Sequence, residues 1–440
     1  MPASSCDLLI QAEYILTQDS TRTVIEHGGL AITGDSISAV GPWSSLQEHW
    51  TAPRTLDMGA SLVMPGLING HTHAAMTLLR GLADDMPLME WLTQHIFPTE
   101  KHLTPEIVEM GTLLACAEMT RFGSTGFVDM YLLEDAALRA VDSAGLRAQG
   151  GEAIFQFPSP AYADTEAGLA LARDLHDRWK SHPRISTAIM PHAVYTSTPE
   201  ILIRCRELAE TLDIPLNIHL AETTEETASC LAQFGKRPVP YLYDLGLLSS
   251  RTNLAHCVDL TDEEIDILSG CGATIIHNPQ SNMKLASGIA PVPALLAKGA
   301  KLALGTDGAA SNNALNLFRE MTVCALLHKV AHTDPTCASA QTVLDMATRG
   351  GAFALHRDDV GHLAPGMKAD LIALDLRSPN LQPVYNPVSH AVYAANGSEV
   401  RLTMVGGEIL YEDGRYHKLD YPALLAEARN LRKWVLARAV

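Results

Sequence analysis

The chain has 440 residues, a formal net charge of −18 and 47% apolar residues. That length is too great for one simple domain and allows a large core with an additional module. Acidic residues scattered along the chain disfavour nucleic acid or an anionic membrane as partner and suit a soluble enzyme acting on a small molecule.

The opening stretch, MPASSCDLLIQAEYILTQD, has no basic region followed by an apolar core. No segment reaches the roughly 18 apolar residues needed to cross a bilayer, so neither export nor membrane insertion is expected. The eight cysteines (Cys6, Cys116, Cys205, Cys230, Cys257, Cys271, Cys324, Cys337) form no CxxC pair. They read as reduced, structural thiols of a cytoplasmic protein.

Residues 1–64 alternate apolar and polar positions between turn signals, as in DLLIQAEYILTQD and GGLAITGDSISAVGPW, which predicts short antiparallel strands. The same texture returns in ADLIALDL and EVRLTMVGGEILYEDGR, so 366–420 is expected to complete one small β-sandwich begun by 1–64. Residues 421–440 predict an amphipathic helix that serves packing.

Between 65 and 365, eight short apolar runs alternate with longer helical patterns. The runs are LVMPGLINGHTH, STGFVDMY, RAQGGEAIF, ISTAIMPHAVYT, PLNIHLAE, TNLAHCVDL, GATIIHNPQSN and KLALGTDGAA. Helical stretches such as STPEILIRCRELAETLD and TDEEIDILSGCG open with Ser/Thr caps and early carboxylates. The fold class is therefore α/β, a (β/α)8 TIM-like barrel whose active site lies at the strand C-termini.

Those strand ends carry metal-binding side chains: His71 and His73 on the first, His219 on the fifth, His256 on the sixth and Asp307 on the eighth. Two residues apart on a strand, His71 and His73 share a face. Each residue taken alone has an ordinary structural reading, as a core histidine or a turn carboxylate. Together they point to one divalent cation held by His71, His73, His219 and Asp307, a set that suits zinc and that iron or manganese can also occupy.

The segments PGLINGHTH, HLAE, AHC, HNPQSNMKLASG and GTDG, in that order, resemble the amidohydrolase superfamily along nearly the whole chain. The fourth strand ends in PHAVYT with His192 and offers no lysine for a carbamate bridge, which resembles the mononuclear deaminase branch. Closer still is the resemblance to the methylthioadenosine/S-adenosylhomocysteine deaminase family. It implies metal-dependent hydrolytic deamination of an adenine nucleoside at C6. Glu222 would handle the purine N1 proton, His256 would stand beside the activated water, and Asp307 would accept that water's proton. Glu100 would hold the ribose hydroxyls and His192 would touch the substrate; Glu222 and Asp307 would touch it too. Relatives of this kind imply a homodimer or tetramer.

The same residues have plainer readings: Glu222 as a first-turn helix carboxylate, Glu100 as a residue preceding the Thr104 cap, His192 as a buried structural histidine. Ser281 and Asn282 read as structural, and Trp91 and Phe97 read either as core or as a cover over the substrate. Family members that take S-adenosylhomocysteine hold its carboxylate with arginines after the third strand, whereas RAQGGEAIFQFPSP places Glu152 there. A carboxylate at that point, with Phe155 and Phe157, would favour methylthioadenosine. The rival readings are an aminohydrolase of a free base or triazine on the same fold, and an inactive scaffold. Glu100 speaks against the first, since a base without ribose has nothing for it to hold, and the intact ligand set with Glu222 and His256 speaks against the second.

Overall fold

The computed structural model describes residues 3–438. All eight central runs form strands: Leu67–Thr72, Ser124–Tyr131, Arg147–Ile154, Ile185–Thr187 continued by Met190–Pro191, Leu216–Leu220, Thr252–His256, Thr274–His277 and Lys301–Leu304. Neighbours along the series pair in parallel. Between the fourth and fifth strands, Ile189 N–H donates to Pro215 O at 2.9 Å and Asn217 N–H to Ile189 O at 3.0 Å. Asp307 N–H reaches His71 O at 3.0 Å and closes the ring from the eighth strand to the first. Helices cover the outside while side chains fill the inside, so these strands are buried on both faces and read as apolar runs without alternation.

Helix boundaries follow local chemistry. Thr198 accepts the N–H of Ile201 at 3.3 Å to start Pro199–Leu212, with proline in the first turn where no N–H is needed. Thr261 and Glu264 form a reciprocal capping box at the start of Asp262–Cys271.

Both ends of the chain enter one nine-stranded sheet, in which Ser61–Pro65 pairs antiparallel with Leu371–Asp375. Ile10, Leu30, Val63, Leu371, Ala373 and Leu402 share its core, so the two terminal parts build one interior together, and the first part adds a small cluster of its own at Cys6, Leu9 and Ala31. Between Leu371–Asp375 and Val400–Val405 the chain leaves the sheet for a helical excursion at Pro387–Ala394, which the alternating texture did not foreshadow. Only Gly66 separates the sheet strand Ser61–Pro65 from the first barrel strand. A Cβ at Gly66 would lie 2.1 Å from Thr125 Cγ2, so this seam demands glycine. Arg147, on the third barrel strand, clamps the sheet through Asp370 with contacts of 2.5 and 2.9 Å. Helix Tyr421–Leu436 buries Leu424 and Val435. Among the described residues, no helix is long and apolar enough to cross a membrane.

Candidate active site

The first barrel strand ends by sending Thr72 and His73 to opposite sides. Thr72 Oγ1 donates to Val128 O at 2.8 Å and to Asp129 Oδ1 at 2.9 Å, which fastens the strand end to the second strand. His73 turns inward with Nδ1 2.5 Å from Met130 O, and His219 places Nδ1 2.6 Å from His192 O. A carbonyl only accepts, so both Nδ1 atoms carry protons and both Nε2 atoms offer lone pairs to the barrel mouth.

Those lone pairs converge. His219 Nε2 lies 3.2 Å from His71 Nε2 and 3.4 Å from His73 Nε2, and Asp307 Oδ1 lies 3.5 and 3.2 Å from the same two atoms. Unprotonated nitrogens at that separation repel unless a cation lies between them, and ligands spaced this way surround one small ion. The donor set therefore fits a divalent metal, held by His71, His73, His219 and Asp307. Local electrostatics agree. Against burial, Asp307 draws the His73 pKa up to about 9, so positive charge is favoured beside its Nε2, and a bound cation would take the place of the proton there. Burial would likewise raise the Asp307 carboxyl, but His71 and His73 hold it well below the usual range. By contrast, burial keeps His71 neutral, with its pKa pushed down to about 4.

The remaining site groups stand on strained turns. His256 has φ 74°, Asp307 φ 63° and Ala221 φ 50°, left-handed values that cost a non-glycine residue of the order of 1–3 kcal/mol each. Side-chain bonds hold these turns. His256 Nδ1 lies 2.8 Å from Asn282 Oδ1. Asp307 Oδ2 accepts the hydroxyls of Ser281 at 2.6 Å and Ser311 at 2.7 Å, leaving Oδ1 for the histidines. Ser281 and Asn282, read from the sequence as structural, thus touch the two groups that a water in this site would meet. Ser311 and Ser287 gave no sequence signal; Ser287 donates to Glu222 Oε1 at 3.3 Å.

Glu222 enters the cavity with its Oε2 3.8 Å from His256 Nε2, and burial raises its pKa. The first-turn role on helix Thr224–Phe234 falls to Glu226 instead, with Thr223 as cap. Glu100 also lines the cavity and is buried there, where desolvation lifts its pKa to about 7. His192 closes the floor beside His219, its Nδ1 3.1 Å from Thr196 Oγ1 and its ring 4.8 Å from that of Phe155.

The cavity bounded by these groups leaves about 50 Å³, with Trp91, Leu92 and Phe97 as its apolar wall. Next to it lies an open depression of about 620 Å³ that shares Phe97, Glu100, Leu132 and Phe155 and adds Phe157. Glu152 corrects the sequence reading. It lines neither space, because its carboxylate accepts the backbone N–H of Leu133 at 3.0 Å and of Glu134 at 2.9 Å, where the second strand turns into its helix. A residue on the third strand was expected to face the substrate tail, but alternation turns this one outward to the neighbouring loop. The cation that does line the depression is Lys101.

The family model described as "Amidohydrolase family" matches residues 62–410, and the chain belongs to that family. The 5-methylthioadenosine/S-adenosylhomocysteine deaminase of Nitratidesulfovibrio vulgaris (strain Miyazaki F) is 64% identical, over 98% of this chain and 98% of its own. Among solved structures, an adenosine deaminase from Xanthomonas campestris with bound zinc superposes with a TM-score of 0.97 at 39% identity, covering 99% of this chain and 100% of that one. A zinc complex of atrazine chlorohydrolase from Arthrobacter aurescens TC1 superposes with a TM-score of 0.89 at 25% identity, over 97% and 100% of the two chains.

Proposed function

We propose that the protein is a metal-dependent adenine-nucleoside aminohydrolase that converts 5′-methylthioadenosine to 5′-methylthioinosine and ammonia. The observation that carries this reading is the pair of buried carboxyls that line one cavity with the metal-ligand cluster, Glu222 beside His256 and Glu100. The 64% identity to a deaminase named for this nucleoside supports it.

His71, His73, His219 and Asp307, a His3Asp set that suits Zn²⁺, would hold a divalent cation, which would supply the Lewis acidity that makes a water nucleophilic near neutral pH. Asp307, fixed by Ser281 and Ser311, takes the water's proton. Glu222, whose protonated form burial favours, gives its proton to purine N1 as electron density moves there from attack at C6. His256 orients the attacking oxygen. Asp307 passes its proton to the departing amine, and the C6–N bond breaks to release ammonia. The C6 hydroxyl gives up its proton as the carbonyl forms, which restores the proton of Glu222 and leaves the hypoxanthine ring protonated at N1. Glu100 accepts hydrogen bonds from the ribose hydroxyls, and His192 packs against the nucleoside. Trp91, Leu92 and Phe97 give the nucleoside an apolar cover. Phe97, Phe155 and Phe157 give the 5′ tail an apolar exit.

A cytoplasmic location and a homo-oligomeric state complete the proposal, the former supported by eight free cysteines. The test is the ultraviolet spectrum of methylthioadenosine with metal-replete protein. Conversion of adenine to hypoxanthine absorbance is expected, with kcat lowered about 10²–10⁴-fold in Glu222→Gln and metal content unchanged. Metal-replete protein that leaves this nucleoside intact but hydrolyses a triazine or a free base would overturn it.

A further inference from the structure

A second group of metal donors lies outside the cavity. His277 ends the seventh barrel strand, and Cys324 and His328 stand one turn apart on helix Leu317–His332, a spacing that puts both on one face. All three are buried, with their potential ligand atoms within 4.8 Å of one another. His277 Nε2 and His328 Nε2 are 3.1 Å apart, close to the 3.2 and 3.4 Å that separate the Nε2 atoms of the catalytic histidines.

We propose that His277, Cys324 and His328 form a second, structural site for a zinc-type divalent cation. Two imidazoles and a thiol are the donors such a cation prefers, and none is used by the deamination site. The plain alternative is a hydrogen bond between the two rings. That bond explains the short contact, but it gives the buried Cys324 thiol no role; neither Nδ1 has a partner in either arrangement, so those atoms do not separate the two readings. Binding would release the thiol proton to solvent and leave a site of net charge +1, from a dication and one thiolate. A compensating carboxylate is at hand. Glu320, one turn earlier on the same helix face, is fully buried and is bonded to the amides of Gln280 and Asn312, with no cation among those partners. Access from solvent is closed in the folded chain, so the ion would enter during folding.

The experiment is cobalt substitution. Protein produced in zinc-depleted, cobalt-supplemented medium is expected to hold about two Co²⁺ per chain and to show a thiolate-to-cobalt charge-transfer band in the near ultraviolet. The catalytic donors are nitrogen and oxygen only, so that band reports Cys324 alone. Cys324→Ser should abolish the band and lower the count to about one, whereas His73→Ala should lower the count and keep the band. One Co²⁺ per wild-type chain without the band overturns the proposal and leaves a hydrogen-bonded imidazole pair. The wild-type spectrum and count decide the matter even if Cys324→Ser fails to fold.

Discussion

Glu226 accepts the backbone N–H of Glu222 at 2.8 Å and that of Ala221 at 3.2 Å, one carboxylate holding the turn that aims another. Ala221 is left-handed, at φ 50°, and this pair of bonds keeps it there. Glu226 is therefore a positioning residue. Glu226→Ala should lower kcat by roughly 5–150-fold, the equivalent of the 1–3 kcal/mol lost when a buried bonding group is left unpaired, with KM nearly unchanged. Steady-state kinetics on methylthioadenosine check this, and a change confined to KM would place Glu226 in ground-state binding instead.

The same residue makes stability depend on pH. Burial raises Glu226 from 4.5 to about 7, so the folded chain holds its proton more tightly than the unfolded chain. The associated stability is complete below the unfolded pKa and is lost as pH rises through the folded one, a range worth about 3 kcal/mol. Glu226→Gln cannot titrate. The stability advantage of wild type over Glu226→Gln should shrink between pH 5 and pH 8, measured by denaturant unfolding at each pH. A constant difference would show that Glu226 is ionised throughout.

Ser281 and Ser311 both donate to Asp307 Oδ2, and their loss should be felt at the metal. Ser281→Ala and Ser311→Ala should each weaken metal affinity about 10–100-fold, the usual effect of removing a group that orients a ligand. Competition with a chelator reads this directly. Full metal retention with reduced kcat would move the serines' effect from the ligand to the proton transfer.

Lys101 lines the depression into which a 5′ tail would emerge. Lys101→Glu should reduce kcat/KM for S-adenosylhomocysteine, whose tail carries a carboxylate, while leaving methylthioadenosine within about twofold, since an exposed charge contributes little to an uncharged tail. Equal loss on both nucleosides would mean that the tail takes another path.

Arg147 and Asp370 join barrel and sheet through a buried, doubly bonded ion pair. Removing one partner strands the other's charge in the interior, so Arg147→Ala should destabilise the fold by about 3–5 kcal/mol. Denaturant unfolding measures it. A loss below about 1 kcal/mol would indicate that water reaches Asp370.

The sequence determined by itself what depends on local period and chain order. Eight apolar runs separated by capped helices specify parallel strands buried on both faces, and alternation before and after them specifies the strands of a second, shared β-module. His71 and His73 were legible as a same-face pair because strand geometry fixes that relation within three residues. The resemblance then supplied Glu222, His256, Glu100 and His192, which the structure gathers around one cavity.

Tertiary structure alone decided relations between residues far apart in the chain. Nothing local says that Ser281 and Ser311 will share one oxygen of Asp307, or that His277 will meet His328 across 51 positions. Glu152 shows the same limit in reverse. Its place in the sequence pointed at the substrate tail, but the backbone N–H groups of Leu133 and Glu134, unpaired at a helix start, claimed the carboxylate first. A buried side chain goes to the partner that the packed neighbours leave unsatisfied, and that partner is set by the closure of the barrel rather than by the residues beside it.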